Sequence, residues 1–64
     1  MKSYSSREII QLLKEDGWYE VNQEGDHIQF KHPVKKPKVT VTHPRKDIPI
    51  GTLKSIIKTA GLEI

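Results

Sequence analysis

The chain has no cysteine among its 64 residues, and this absence excludes several classes of site. Without thiols there can be no disulfide framework, no thiolate-bound zinc and no cysteine nucleophile. The chain also lacks an apolar run near the roughly 20 residues that cross a bilayer, and its first residues lack the apolar core of a signal peptide. We therefore expect a cytoplasmic protein that does not contact the membrane.

Acidic side chains are missing from the middle of the chain. Residues 31–46 carry six basic side chains and no acidic one, whereas residues 1–30 carry three basic and six acidic side chains. A block of one sign in so short a chain creates a positive potential that attracts the nucleic-acid backbone or an acidic protein partner. Lysines that only keep a loop solvated produce the same pattern, so charge alone leaves both interpretations open.

The two ends of the chain carry helix signals. Ser5 and Glu8 have the spacing of a capping box, so a first helix begins here, and Gly17 ends it. A second helix ends at Gly61. Its predicted buried face follows the i, i+3, i+4, i+7 spacing of an amphipathic helix and comprises Leu53, Ile56, Ile57 and Ala60.

Three stretches between these helices alternate apolar and polar residues, as half-buried strands do. They are WYEVNQ, HIQFKH and KVTVT. A single domain, 1–64, with the order α-β-β-β-α predicts a two-layer α+β fold, in which both helices pack on one face of a three-stranded antiparallel sheet. The other face of the sheet is then left open.

The first two strands are expected to form a hairpin with a two-residue turn at Glu24-Gly25. This register brings the bulky apolar side chains of both strands to the inward face. The inward pairs are Val21 with Ile28 and Tyr19 with Phe30, and the outward pairs are Asn22 with His27, Glu20 with Gln29 and Trp18 with Lys31.

His27 is the candidate catalytic residue. It follows a glycine turn, points away from the predicted core and precedes the positive block by a few residues. A histidine can accept a proton from a ribose 2′-OH or donate one to a leaving 5′-oxygen, so it suits RNA cleavage without a metal. DNA lacks this hydroxyl, and we expect no DNA contact. A purely structural role is the commoner one for a lone strand histidine.

The other histidines and the single tryptophan carry weaker signals. His32 and His43 each precede a proline and are typical of strand ends, although either imidazole could touch a phosphate. Neither has metal-ligand spacing with His27, and we predict no metal and no cofactor. Trp18 could stack on a base, but a tryptophan beside a helix-ending glycine more often closes the edge of a small core.

The run GWYEVNQEGDHIQFKHP, followed by KVTVTHPRKDIPIGTLKSIIKTAGL, resembles the HicA toxins of bacterial type II toxin–antitoxin pairs, also called the YcfA-like family. The resemblance covers almost the whole chain, up to residue 62. It implies a double-stranded-RNA-binding-domain-like fold and an mRNA interferase that cleaves RNA and arrests translation. It also implies a HicB-type antitoxin as partner, and it places the family's catalytic histidine on His27 and its glycine turn on Gly25.

The leading hypothesis is a metal-independent endoribonuclease toxin with His27 as general acid or base. Gly25 allows the tight turn that presents the histidine, and the RNA backbone is held by Lys31, Lys35, Lys36 and Lys38. Two other hypotheses stay open. One is a non-catalytic RNA-binding module that uses the open sheet face and the basic loop, and the other is an interaction domain whose positive loop binds an acidic protein.

Overall fold

The computed structural model describes residues 3–63, which form two helices and one sheet. The sheet is antiparallel with the strand order β1-β2-β3. This arrangement confirms the predicted α+β fold with its three-stranded antiparallel sheet, and it is compatible with the double-stranded-RNA-binding-domain-like fold. The elements are α1 (Ser6–Glu15), β1 (Tyr19–Glu24), β2 (His27–Lys31), β3 (Val39–Thr42) and α2 (Ile50–Ala60).

Helix α1 begins with the predicted capping box. The Ser5 hydroxyl accepts the Glu8 amide at 3.2 Å, and the Glu8 carboxylate accepts the Ser5 amide at 3.0 Å. An isolated helix of 10 residues is marginal in water, so its buried side, Ile9 and Leu13, supplies most of its stability. Asp16 is the C-cap of the helix. Gly17 follows it with φ +107°, a conformation that favours glycine.

Both helices pack on the same face of the sheet, as predicted. On β2 and β3 the inward side chains alternate with outward ones, and all four inward side chains are buried. Ile57 is only partly buried on α2, whereas the other three predicted positions of that helix are fully inside. The core consists of Ile9, Leu13, Trp18, Ile28, Phe30, Val39, Val41, Ile48, Leu53, Ile56 and Ala60.

The predicted hairpin register is wrong. The turn residues are Gly25 and Asp26, so that Glu24, and not Asn22, is the partner of His27. Gly25 has φ +58°, and a glycine with positive φ at the first central position is characteristic of a type II′ turn, whose twist suits antiparallel strands. This preference outweighs the apolar matching on which the predicted register was based.

Strand β1 departs further from the prediction at a β-bulge. The register shifts between Glu20 and Asn22, so that Tyr19 pairs with Lys31 on the open face and not with Phe30 on the inward face. Tyr19 and Val21 are therefore 49% and 42% exposed. The helices pack chiefly over β3, so β1 at the far edge has no cover for apolar side chains on either face.

Trp18 closes the edge of the core, as expected for a tryptophan beside a helix-ending glycine. The side chain is buried, which contradicts the outward position that the predicted pairing with Lys31 gave it. Its indole N–H donates to the Asp16 carboxylate at 3.2 Å. A buried indole normally needs such a partner, and this bond satisfies its only polar atom.

Truncation of Phe30, in the core, should destabilise the protein far more than truncation of a side chain on the edge strand. Because the ring is fully buried, Phe30→Ala is expected to lower the free energy of unfolding by about 3–5 kcal/mol. Val21→Ala, on the exposed bulge, should change it by no more than about 0.5 kcal/mol. Urea unfolding of both variants measures the difference, and equal losses would contradict this assignment of the core.

Candidate functional site on the open sheet face

His27 is the first residue of β2 and lies on the open face of the sheet. It pairs with Glu24 on β1 and with Thr42 on β3, so these side chains flank it on the same face. Its side chain is 60% exposed. The Gly25 turn before it has open space where a Cβ would be, so the positive φ alone accounts for the glycine. The turn presents an imidazole that solvent and a ligand can reach.

A carboxylate and a strand-pairing glutamate lie beside His27. The Asp26 carboxylate lies 3.8 Å from His27 Nε2, and the side chain of Asp26 is 63% exposed. The Asp26 carbonyl also accepts the backbone N–H of His43 at 2.7 Å, which fixes the segment after β3 beside the turn. An exposed imidazole can take part in proton transfer, and the carboxylate beside it would repel a phosphate.

Both ring nitrogens of His32 make hydrogen bonds within the protein. Its Nδ1 accepts the amides of Val34 and Lys35 at 3.0 and 3.1 Å, so its proton lies on Nε2, which donates to the Asp16 carbonyl at 2.8 Å. The side chain is only 10% exposed. Its position at the end of β2 agrees with the prediction of a strand end, and the ring has no free nitrogen for a phosphate.

His43 is tied to the start of α1 through Ser6. Its Nδ1 lies 2.7 Å from the Ser6 hydroxyl, which also accepts the Arg45 amide at 2.8 Å. These bonds link the start of α1 to the segment after β3. Because Ser6 is only 1% exposed, its hydroxyl cannot reach a substrate as a nucleophile. Sequence reasoning missed this pair because the two residues are 37 positions apart and neither lies in a recognisable motif.

The positive block divides into two clusters at opposite ends of the sheet. His27 begins β2 and Lys31 ends it, a separation of about 13 Å along a strand of this length. The other predicted RNA-binding lysines lie beyond that end, in the loop from β2 to β3: Lys35, Lys36 and Lys38. Arg45 and Lys46 instead follow β3, whose last residue Thr42 pairs with His27.

The ammonium of Lys35 has two internal partners. It donates to the Asp16 carboxylate at 2.6 Å and to the Ala60 carbonyl at 2.8 Å, so it holds the loop to the ends of both helices. The hydrogen bond from Lys35 is the main reason that the pKa of Asp16 is lowered from its usual 3.8. The indole of Trp18 lowers the same pKa to a smaller extent.

Two further findings concern residues 3–63 as a whole. In this part of the chain no three side chains among His, Asp and Glu are grouped so that they could hold a metal ion. Neither of the two helices there has the length and apolar character to cross a membrane.

Comparison with known proteins decides the family. The sequence model of a family described as the HicA toxin of bacterial toxin-antitoxin systems matches residues 6–62. The chain belongs to the HicA toxin family. A chain in a solved structure described as the HicA3 and HicB3 toxin-antitoxin complex is 31% identical to this HicA toxin, with a TM-score of 0.75. The alignment covers 95% of this HicA chain and 98% of that chain. A search of curated proteins found no match.

The ion pair between Asp16 and Lys35 predicts a specific loss of stability in acid. A lowered pKa means that the folded HicA chain binds fewer protons here than the unfolded chain. The stabilisation is therefore complete above pH 3.8, the usual pKa, and is lost as the pH falls through the lower folded pKa. Lys35→Gln should remove the largest part of this contribution at neutral pH and reduce the acid dependence of the free energy of unfolding.

Lys36→Gln is the matched control, because Lys36 lies next to Lys35 in the same loop and its side chain is exposed. It should retain the acid dependence of the parent chain. Urea unfolding at pH 7 and at several values below 3.8 compares the three proteins. If the free energy of unfolding of Lys35→Gln depends on pH as in the parent, the Asp16–Lys35 ion pair is not the source of the acid dependence.

Proposed function

We propose that this HicA toxin is a metal-independent endoribonuclease, an mRNA interferase, in which His27 is the general acid or base. The observation that supports this proposal is that the His27 imidazole is exposed and makes no hydrogen bond among the described residues. Within residues 3–63, His32 and His43 use ring nitrogens in internal hydrogen bonds, whereas the His27 ring makes none and is 60% exposed. An imidazole with no structural task, presented by a tight turn at Gly25, is available for proton transfer.

The proposed reaction uses the RNA's own 2′-hydroxyl as nucleophile. The 2′-oxygen forms a bond to phosphorus as the bond from phosphorus to the 5′-oxygen breaks, leaving a 2′,3′-cyclic phosphate and a 5′-hydroxyl. As a base, His27 takes the proton from the 2′-hydroxyl and water protonates the departing 5′-oxygen; as an acid, it protonates the 5′-oxygen and water accepts the proton of the 2′-hydroxyl. Either role needs a reachable imidazole and no metal ion.

The lysines near the other end of the sheet hold the RNA backbone in this proposal. Lys31, Lys36 and Lys38 are exposed and offer their ammonium groups to phosphates along the open face. Lys35 contributes mainly by fixing the loop that carries Lys36, because its own ammonium binds Asp16 and the Ala60 carbonyl. Binding by these residues and chemistry at His27 then occupy separate parts of one face.

A HicB-type antitoxin is the proposed protein partner. The support for it is the similar chain in the HicA3 and HicB3 complex, which matches this chain along nearly its whole length. The open face has no cover from the chain's own helices, which pack on the opposite face. A partner that covered this face would block access of RNA to His27.

Removal of the His27 imidazole should abolish activity and leave the fold intact. Loss of a proton-transfer group is expected to slow RNA cleavage by about 10²- to 10⁴-fold. Because the side chain is exposed, His27→Ala should change the free energy of unfolding by no more than about 0.5 kcal/mol. Cleavage is measured on a labelled RNA with isolated protein, and toxicity is measured as growth after expression.

Thr40→Ala is the control for this variant, since Thr40 lies on the same face but has no group that titrates. It should cleave RNA at the parental rate. A folded His27→Ala protein that cleaves as fast as the parent would contradict the proposed mechanism. A parent protein that binds RNA without cutting it would favour the non-catalytic binding module.

The lysines should act through local charge. Changing Lys31, Lys36 and Lys38 together to glutamine is expected to weaken RNA binding and reduce the slope of log affinity against log salt by about 2. The control triple changes Lys14, Lys54 and Lys58, which are exposed on the two helices. Both triples remove the same net charge, so equal effects on affinity and slope would contradict contact between RNA and the proposed lysines.

A further inference from the structure

A groove lies at the end of the open face opposite His27, beside the loop from β2 to β3. Its volume is about 440 Å³, within the range of about 300–1,000 Å³ that is usual for small-molecule sites. The side chains that decide its chemistry are Tyr19, Lys31, Val34 and Lys36. Tyr19 is 49% exposed and Val34 is 82% exposed, so an aromatic ring and an apolar side chain face solvent here.

The groove combines two chemistries that suit a nucleotide. An exposed aromatic ring stacks on any base, because every base has a π-face, and lysine ammonium groups attract the phosphate beside it. Lys31 and Lys36 both line the groove, and its described lining includes no acidic side chain. His27, by contrast, has the Asp26 carboxylate 3.8 Å from its Nε2.

The groove is held in shape by the residues beneath it. His32 accepts the amides of Val34 and Lys35 on Nδ1, which fixes the backbone of the loop wall. Lys35 then binds Asp16 and the Ala60 carbonyl, so the loop is anchored at both helix ends. A wall that is ordered before binding reduces the entropy lost when a ligand enters.

Tyr19 reaches this face only because of the bulge in β1. The register shift between Glu20 and Asn22 makes Tyr19 the partner of Lys31, so that both side chains leave the backbone on the open face and line the groove. A regular continuation of the pairing would turn Tyr19 to the other face. The bulge therefore assembles the aromatic and cationic parts of the groove.

We propose that this groove binds one unpaired nucleotide of the RNA, with its base against Tyr19 and Val34 and its phosphate at Lys31 and Lys36. The inference rests on the proposed function for the class of ligand. Since Lys31 lies about 13 Å along β2 from His27, the bound nucleotide is not the one that is cut. A base within a duplex has no free face for the ring, so the groove selects single-stranded RNA.

The test uses a short single-stranded oligonucleotide of 2′-O-methyl RNA, which lacks the nucleophilic hydroxyl and cannot be cleaved. Tyr19→Ala is expected to weaken its binding about 5- to 100-fold, the usual effect of losing one stacked base. Tyr19→Phe keeps the ring and should bind within about twofold of the parent. Val21→Ala is the control from the same exposed strand, outside the groove, and should bind like the parent.

Two further measurements assign the groove to its ligand. Binding to the same oligonucleotide annealed to its complement should be unchanged in Tyr19→Ala, because a paired base is not stacked on the ring. Titration with a nucleoside monophosphate should shift the ring resonances of Tyr19 in NMR spectra of the parent chain.

The outcomes separate this inference from the proposed cleavage. Parental affinity of folded Tyr19→Ala for the single strand overturns the nucleotide site, whatever His27→Ala does to cleavage. Equal weakening for single strand and duplex overturns the selection of an unpaired base. Unchanged RNA binding with weaker binding to the antitoxin assigns the groove to a protein interface and also overturns the proposal. Loss of single-strand binding supports the site even in a chain that cuts no RNA.

Discussion

The imidazole of His32 joins two segments that are distant in sequence, residues 16–18 and residues 32–35. It donates to the end of α1 at Asp16 and accepts two amides from the loop after β2, and its ring meets Trp18 edge-on with centroids 5.2 Å apart. A Cβ at Gly17 would lie 3.0 Å from Nε2, closer than most Cβ contacts, and the φ of +107° also favours glycine. With 10% of the side chain exposed, an unmet bond here would leave a polar group buried at a cost of about 1–3 kcal/mol. The position of Lys35, and with it the basic loop, depends on this arrangement.

His32 and His27 show how position decides the use of one residue type. The two lie at opposite ends of β2 or just beyond it, one with both ring nitrogens bonded and the other with neither. The charges are less sharply divided: the Asp26 carboxylate lies beside His27 and Lys31, Lys36 and Lys38 lie near the far end of the sheet, but Arg45 and Lys46 follow the strand that pairs with His27. In the proposed function, the lysines that bind RNA and the histidine that cleaves it are therefore separate residues at different ends of β2.

Local signals in the sequence predicted most of the fold. The capping box of Ser5 and Glu8, the glycine ends of both helices and the alternation of β2 and β3 involve residues a few positions apart, and the structure contains all of them. The register of β1 could not be read in this way. The alternation of apolar and polar residues does not distinguish between turns one residue apart. The bulge at Val21 then interrupts the alternation, and no glycine or proline in the sequence marks it.

The candidate site divides along the same line. His27 and its glycine turn lie next to each other in the sequence, so the outward position of the imidazole could be predicted. The hydrogen bonds of Lys35 to Asp16 and of His43 to Ser6 join residues 19 and 37 positions apart, and no local sequence pattern predicts them. Which lysine is free and which is structural follows from tertiary packing alone.

The bulge in β1 also bears on the solubility of the chain. An edge strand that exposes Tyr19 and Val21 would, if flat and regular, offer its unpaired backbone groups to the edge of another copy. The interruption between Glu20 and Asn22 twists this edge and breaks the even spacing of those groups, so an incoming strand finds few partners in register. A bulge at an exposed edge disfavours strand addition by another copy, even where apolar side chains are exposed beside it.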